Sequence, residues 1–247
     1  MKNYGIRVFI AAFAQVIFVC SIYAQNSNQG SSPATLALTN SKLNYNNQID
    51  YQSRLFNGVK YVEYEAGFTG NAYYQSGEFQ NANLHYDGVD FYGVPILYDL
   101  YKQMVVVKYP ADQAYMSLIN AKLDKFAIGN HTFIRIDADS KQKDIESGFY
   151  ELLYDGRSEF VKKYVKDIQV EKSGLNIKNV FNEHTGYYLL KDGIYYPVSG
   201  KRSMLSVFKD KRKDLEAYIK SNKLDFGDNQ EEGDMIKVAA YYDQLSK

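Results

Sequence analysis

The feature that most constrains the fold is a pair of tyrosine-rich segments around Asp192-Gly193, in the stretch YYLLKDGIYYPV. An Asp-Gly pair between alternating segments predicts a two-residue hairpin, because a type I′ turn needs positive φ at both central positions. Side chains alternate between the two faces of a strand. Tyr187 and Leu189 should therefore face one side of a sheet, and Tyr188 and Leu190 the other.

Composition supports a sheet whose faces are both partly buried. The chain contains 24 Tyr and 14 Phe but no Trp. Tyrosine suits half-buried strands, since its ring packs while its hydroxyl reaches water. We therefore interpret most tyrosines as sheet residues, with an adhesive binding surface as the alternative.

Between residues 35 and 199 the chain reads as a series of short strands, including the alternating segment VKYVEYEAGF. Further turns are predicted at Ser76-Gly77, Asp87-Gly88, Gly129-Asn130 and Asp155-Gly156. Strands joined by short turns form antiparallel sheets. About ten strands must curl, close into a barrel or split into two sheets. Periodicity leaves a barrel, a half-barrel and a sandwich open.

After Gly200 the apolar spacing becomes helical. The apolar residues of the first part are Met204, Leu205, Phe208, Leu215, Tyr218 and Ile219. Asp210 or Lys211 is predicted to separate two helices there.

A last helix is predicted with Asp234 as its N-cap. One face of this helix would carry Met235, Val238, Ala239, Tyr242 and Leu245. The predicted fold class is therefore mainly β with C-terminal α: a curved antiparallel β-sheet or half-barrel followed by two or three helices. Residues 200–247 would form a helical tail packed on the β domain of residues 35–199.

The N-terminus has the pattern of a secretory signal peptide. A basic start precedes a short apolar run, and Ser21 and Ala24 occupy the positions required for cleavage before Gln25. Residues 1–24 are therefore predicted to be a signal peptide, and the polar residues 25–34 a flexible leader. Export to the periplasm follows, with the mature chain free there or associated with the outer membrane and without a transmembrane segment.

Two alternatives concern the same N-terminal segment. A membrane anchor is weaker because the run is shorter than the ~20 apolar residues of a bilayer span and is interrupted by Gln15. Lipidation at Cys20 is weaker because Phe18 and Val19, which precede it, are bulky. Cys20 is the only cysteine, so cleavage would leave no thiol for disulfides, catalysis or metal binding.

Charge argues against nucleic acid as a partner. Cleavage removes two of the 29 basic residues and none of the 29 acidic ones, which leaves a near-neutral chain without an electrostatic reason to bind nucleic acid. The tail is locally basic, and the candidate partner- or membrane-facing residues are Lys201, Arg202, Lys209, Lys211, Arg212 and Lys213. A solvated helix face is the alternative interpretation.

No motif predicts a catalytic, cofactor-binding or metal-binding residue. His85, His131 and His184 are not at ligand spacing, and neither a G-x-S-x-G elbow nor a phosphate-binding glycine loop is present. The segment DADSKQKD lacks the glycine and the closing glutamate of a calcium loop. Sugar-binding clefts favour Trp, which the chain lacks.

Several stretches together carry a family resemblance: FNGVKYVEY, SGFYELLYDG, YYLLKDGIYYPVSGKRSMLSVFKDKRKDLEAYIKSNKLDF and VAAYYDQL. Over most of the mature chain the sequence resembles a group of uncharacterised secreted proteins of Bacteroidota. The resemblance implies a Gram-negative envelope location and no particular activity or site residue. The strand-rich part is also similar in pattern to periplasmic lipoprotein carriers, which hold acyl chains in an open half-barrel.

Three functions are consistent with these observations. The favoured one is a non-enzymatic binding or interaction module at the periplasm or outer membrane, whose partner is an outer-membrane protein or lipid. The first alternative is a periplasmic carrier of a lipid or hydrophobic ligand in a concave sheet. The second is a hydrolase with non-contiguous catalytic residues, which requires a pocket joining a histidine to a carboxylate.

Overall fold

The computed structural model describes residues 37, 38, 41, 54–109, 113–139, 144–173, 176–227 and 230–246. The predicted signal peptide and leader lie outside these residues.

The described chain is mainly β and ends in three α-helices. The strands are β1 Val59–Lys60, β2 Phe68–Thr69, β3 Gln80–Tyr86, β4 Val89–Asp99, β5 Met104–Lys108, β6 Tyr115–Ser117, β7 Leu123–Ile128, β8 His131–Ile136, β9 Gly148–Tyr154, β10 Phe160–Ser173, β11 Asn176–Lys191 and β12 Ile194–Val198. The helices are α1 Lys201–Val207, α2 Arg212–Ser221 and α3 Glu231–Leu245, with short 3-10 turns at Arg54–Phe56, Asn120–Lys122 and Lys209–Lys211.

All twelve strands belong to one sheet that does not close. The order across it is β1-β6-β5-β4-β3-β7-β8-β9-β10-β11-β12, and β2 pairs in parallel with β11. The other neighbours are antiparallel, as predicted. Asp192 and Gly193 have φ values of 52° and 78°, and Asp87 and Gly88 have 51° and 74°, so both Asp-Gly pairs form the expected hairpin turns.

The sheet curls so strongly that distant strands meet across its inner face. The ring centroids of Tyr98 on β4 and Phe149 on β9 are 6.1 Å apart, although β3, β7 and β8 lie between these strands. At the rim of the curl, the Lys166 N–H of β10 donates to the Leu100 carbonyl just beyond β4, at 3.1 Å. This geometry confirms the predicted curved sheet.

The inner face is filled by aromatic rings. Phe126 and Phe133 stack with centroids 4.8 Å apart, and Tyr98, Phe126, Phe133 and Phe149 are each no more than 2% exposed. Leu84, Val105 and Leu123 complete the same cluster. The curvature of the sheet is therefore stabilised by a continuous aromatic core on its inner face.

The three helices cover the inner face of β10 to β12. Phe160 and Leu189 of the sheet share a buried cluster with residues of all three helices. The buried residues of α3 are Asp234, Met235, Val238, Ala239 and Tyr242, and Leu245 is partly buried. The Tyr242 ring stacks on Phe208 with centroids 3.7 Å apart, so the tail packs through the predicted stripe.

The predicted role of Asp234 as the N-cap of the last helix is wrong. Helix α3 begins at Glu231, and Asp234 lies within its first turn. The Asp234 carboxylate is 1% exposed, where it accepts hydrogen bonds from the Phe226 N–H at 3.3 Å and the Lys237 ammonium at 2.9 Å. It therefore ties the α2–α3 connection to the helix, and its charge also suits the helix N-terminus.

The predicted strand VKYVEYEAGF is mostly irregular, as only Val59–Lys60 of β1 and Phe68, the first residue of β2, are extended in the ladder. The hydroxyls of Tyr61 and Tyr64 donate instead to the buried carboxylate of Asp99, at 2.7 and 2.8 Å. These side-chain bonds set the path of the segment. The predicted turn at Ser76-Gly77 likewise lies in an irregular segment before β3 and makes no hairpin.

No helix in the described ranges has both the length and the apolar character needed to cross a bilayer.

Candidate functional site

The most unusual surface is a hairpin that extends beyond β9 and β12, and β2 pairs with it only at Asn179 and Val180. Strands β10 and β11 stay paired as far as Ser173 and Asn176. In contrast, β9 pairs with β10 no further than Lys162, and β12 pairs with β11 only from Tyr187 onward. We call residues 167–173 and 176–182 the arm. Seven strand residues span about 20 Å.

One face of the arm carries exposed apolar side chains, with the polar Lys172 and Asn179 among them. Ile168 is paired with Phe181, and Val170 and Ile177 lie on the same side of the two strands because side chains two residues apart share a face. Val170 is 56% exposed and Ile177 is 66% exposed. The intervening residues of β10 are Asp167, Gln169 and Glu171, so the opposite face is polar along β10.

The β10 edge of the arm is open. The Lys166 N–H points away from β11, because it donates to the Leu100 carbonyl. Backbone groups alternate in direction along an antiparallel strand, so those of Ile168, Val170 and Lys172 point outward as well. In the part of the chain that the structure describes, these outward groups pair with no other strand.

The root of the arm is packed among aromatic rings. Phe181 stacks on Phe68 of β2 with centroids 5.0 Å apart and meets the Tyr64 ring edge-on at 5.1 Å. The Lys102 ammonium lies 4.2 Å from the centre of the Tyr64 ring. Burial, followed by the hydrogen bond to Asp99, raises the pKa of Tyr64 above its ordinary value, so Tyr64 stays a hydrogen-bond donor at neutral pH.

Each of the three histidines pairs with a carboxylate on a neighbouring strand. The ring nitrogen-to-oxygen distance is 2.8 Å for His85 and Asp90, 2.5 Å for His131 and Glu151, and 3.0 Å for His184 and Asp167. These pairs were not predicted, because the partners are brought together by strand register rather than by local spacing. The pairs can be recognised only once the register of the neighbouring strands is known.

The His131 pair belongs to a buried network. Glu151 is 5% exposed, and its second oxygen accepts a hydrogen bond from the Tyr164 hydroxyl at 2.6 Å. Burial and then this bond raise the pKa of Tyr164 above its ordinary value. The ring of Tyr74 packs edge-on against both His131 and Tyr164. The network joins β8, β9 and β10 through one shared carboxylate.

Two adjacent lysines of β10 have opposite electrostatic surroundings. Burial alone would lower the pKa of Lys162, but the hydrogen bond and charge of Glu232, 2.8 Å away, raise it. Lys163 is 7% exposed and lies 4.5 Å above the centre of the Tyr150 ring. Burial lowers its pKa to about 8. Lys162 anchors α3 to the sheet, whereas Lys163 is a buried amine without an ion-pair partner among the described residues.

The predicted basic residues lie together on α1, the 3-10 turn after it and α2. Five of them are exposed and Lys211 is partly exposed. Among the described contacts, Arg212 forms an ion pair with Glu216 at 2.9 Å, and the other five form none. The structure thus places these charges on one helical segment facing solvent.

Within the described ranges, no group of three or more His, Cys, Asp or Glu side chains is arranged to hold a metal ion. Comparisons with protein-family models, curated proteins and solved structures find no match. The resemblance to secreted envelope proteins therefore stays a prediction from the sequence.

Proposed function

We propose that this chain is a non-enzymatic binding module of the bacterial envelope that binds a partner protein through the arm. The partner contributes an extended segment with apolar side chains at alternate positions. This segment adds as a third strand to the open edge of β10. The observation that carries the proposal is the coincidence of unpaired outward backbone groups with exposed Val170 and Ile177 on one face.

Added strands are a general mode of protein recognition. Backbone hydrogen bonds supply affinity, and side chains at alternate positions supply specificity. A two-stranded ribbon alone is marginally stable in water, so a third strand would also stabilise the arm. Fully burying a Val or Ile side chain contributes about 1.5–3 kcal/mol, which makes Val170 and Ile177 a useful part of such an interface.

The carrier alternative has less support. A carrier needs an empty concave face for its acyl chain. The inner face of this sheet is instead occupied by Phe126, Phe133 and Phe149, each no more than 1% exposed. The hydrolase alternative gains one observation, because His85 and Asp90 lie together at a pocket on the outer face of the sheet. It still has less support than the binding module, because none of the three histidines hydrogen-bonds to a described hydroxyl group that could serve as a nucleophile.

A proline substitution tests the open edge selectively. Val170→Pro removes one outward N–H, and proline is tolerated at a strand edge when that N–H is not used by the ladder. Val170→Thr is the matched control, since it keeps the N–H and the β-branched shape. Both full-length variants would carry a photo-crosslinking amino acid at Ile177 and be expressed in the organism that encodes the chain.

We expect the control to crosslink to one envelope protein and the proline variant to lose that product. Both variants should keep their melting temperatures, since the ladder with β11 is untouched. An identical crosslinked product in the two variants would refute strand addition at this edge.

A further inference from the structure

A second surface feature lies on the other face of the sheet, away from the arm. Strands β3, β4, β7 and β8 border a pocket of about 330 Å³. Its polar lining consists of Asn83, His85, Asp90, Tyr92, Lys125 and Thr132. Leu84 and Phe126 alternate with these residues and point into the aromatic core, so the pocket opens on the outer face.

A β-bulge shapes this pocket. Ala82 pairs with Val94 and Leu84 with Phe91, so Asn83 lies opposite both Tyr92 and Gly93. Gly93 has a φ of 63°, and its N–H donates to the Asn83 side-chain oxygen at 3.1 Å. Bulges locally bend a strand and re-aim its side chains. Here the bulge sets the position of Tyr92 at the pocket wall.

The polar groups at the pocket contact one another. The two ring nitrogens of His85 lie 2.8 Å from an Asp90 oxygen and 3.5 Å from an Asp124 oxygen. The Tyr92 hydroxyl donates to the other Asp90 oxygen at 3.3 Å. Lys125 is the cross-strand neighbour of His85. His85, Asp90, Tyr92 and Lys125 therefore border one small volume, and Asp124 lies outside its lining.

The chemistry of this lining restricts the ligand. The Asp90 carboxylate disfavours an anion, and Lys125 disfavours a cation. A lipid chain would leave the polar rim without partners, at a cost in desolvation. The volume is at the lower end of the range of about 300–1,000 Å³ for small-molecule sites.

We propose that the pocket binds one monosaccharide unit of a glycan. Sugar hydroxyls both donate and accept hydrogen bonds, which matches the mixed lining, and the C–H face of a pyranose packs against an aromatic ring such as that of Tyr92. The sequence contains no Trp, the residue expected for sugar platforms, so tyrosine would supply the aromatic contact. This proposal is independent of the one made for the arm.

Saturation-transfer NMR on the full chain tests the assignment. The probes are the methyl glycosides of glucose, galactose, mannose, N-acetylglucosamine, rhamnose and xylose, with inorganic phosphate and tetramethylammonium as competing chemistries. His85→Ala and Tyr92→Ala remove pocket contacts, and Asp90→Asn changes an acceptor while keeping its shape. His184→Ala is the matched control, because His184 forms a similar pair with Asp167 outside the pocket.

We expect at least one glycoside to bind at millimolar concentration. His85→Ala and Tyr92→Ala should each weaken glycoside binding about tenfold or more, which corresponds to a loss of about 1.4 kcal/mol or more of binding free energy. Asp90→Asn should also weaken glycoside binding while the protein stays folded. His184→Ala should bind as the wild type does. The assignment is overturned if no glycoside binds, if binding survives the pocket variants, or if only phosphate or tetramethylammonium binds.

Discussion

Replacing Lys163 by methionine should stabilise the protein at neutral pH. Lys163 is 7% exposed, and burial lowers the pKa of its amine from 10.5 to about 8. At pH 7 the folded protein therefore carries a charge that burial disfavours. A pKa lowered by this much means that the charged Lys163 reduces the free energy of unfolding by about 3 kcal/mol at pH 7. Methionine has a similar length, and its sulfur can contact the Tyr150 ring favourably, so the substitution removes the charge without opening a cavity.

The stability advantage of the Lys163→Met variant should decrease as the pH rises. Between pH 8 and 10.5 the unfolded state holds the Lys163 proton and the folded state does not, so wild-type stability from this group increases with pH. The advantage of Lys163→Met should fall from about 3 kcal/mol at pH 7 to about 2 at pH 9 and about 1 at pH 10. The tyrosines of raised pKa titrate in both proteins, so their contributions cancel in this difference.

The assay is urea unfolding of both proteins at pH 7, 8, 9 and 10, followed by circular dichroism. Lys162→Met is the matched control one residue away. It removes the 2.8 Å ion pair with Glu232 and should destabilise by about 1 kcal/mol. A destabilised Lys163→Met protein at pH 7, or a gain that does not change with pH, would refute the reasoning.

Three further predictions concern the tail and the histidine network. Tyr242→Asp should lower the free energy of unfolding by at least about 3 kcal/mol, because it replaces a ring stacked on Phe208 with a buried charge; an unchanged melting temperature would exclude this packing. Glu151→Gln should cost about 1–3 kcal/mol in chemical unfolding, since the amide is a poorer acceptor for its two donors; a neutral result would mean that the network adds no stability. Lys211→Gln with Lys213→Gln should change stability by less than about 0.5 kcal/mol and reduce co-sedimentation with anionic vesicles; unchanged sedimentation would exclude this face as a lipid contact.

Local sequence rules predicted the parts of the fold that depend on local chemistry. The turn at Asp192-Gly193 and the buried stripe of α3 follow from φ preferences and helical spacing, and both are confirmed. The curved sheet was predicted, but the choice among a closed barrel, a half-barrel and a sandwich was left open. The curvature is fixed by contacts such as Tyr98 with Phe149, which join residues far apart in the chain.

The candidate sites were harder to predict because each depends on strand register. The Glu151 carboxylate meets His131 and Tyr164 across two neighbouring strands, and no sequence spacing links them. In the sequence Asp99 looks like an ordinary turn residue. In the structure its carboxylate accepts hydrogen bonds from the hydroxyls of Tyr61 and Tyr64, and these bonds hold the irregular segment between β1 and β2. The arm was not predicted, because the alternation of side chains along β10 and β11 does not show where the neighbouring strands end.

Amide hydrogen exchange along the arm tests the central proposal most directly. The measurement would compare the isolated chain with the purified crosslinked complex, residue by residue. We predict rapid exchange at Ile168, Val170 and Lys172 in the isolated chain, while the inward N–H of Gln169 is protected by β11. The three outward amides should become strongly protected in the complex. Outward amides that are already protected in the isolated chain, or that still exchange rapidly in the complex, would contradict recognition by strand addition.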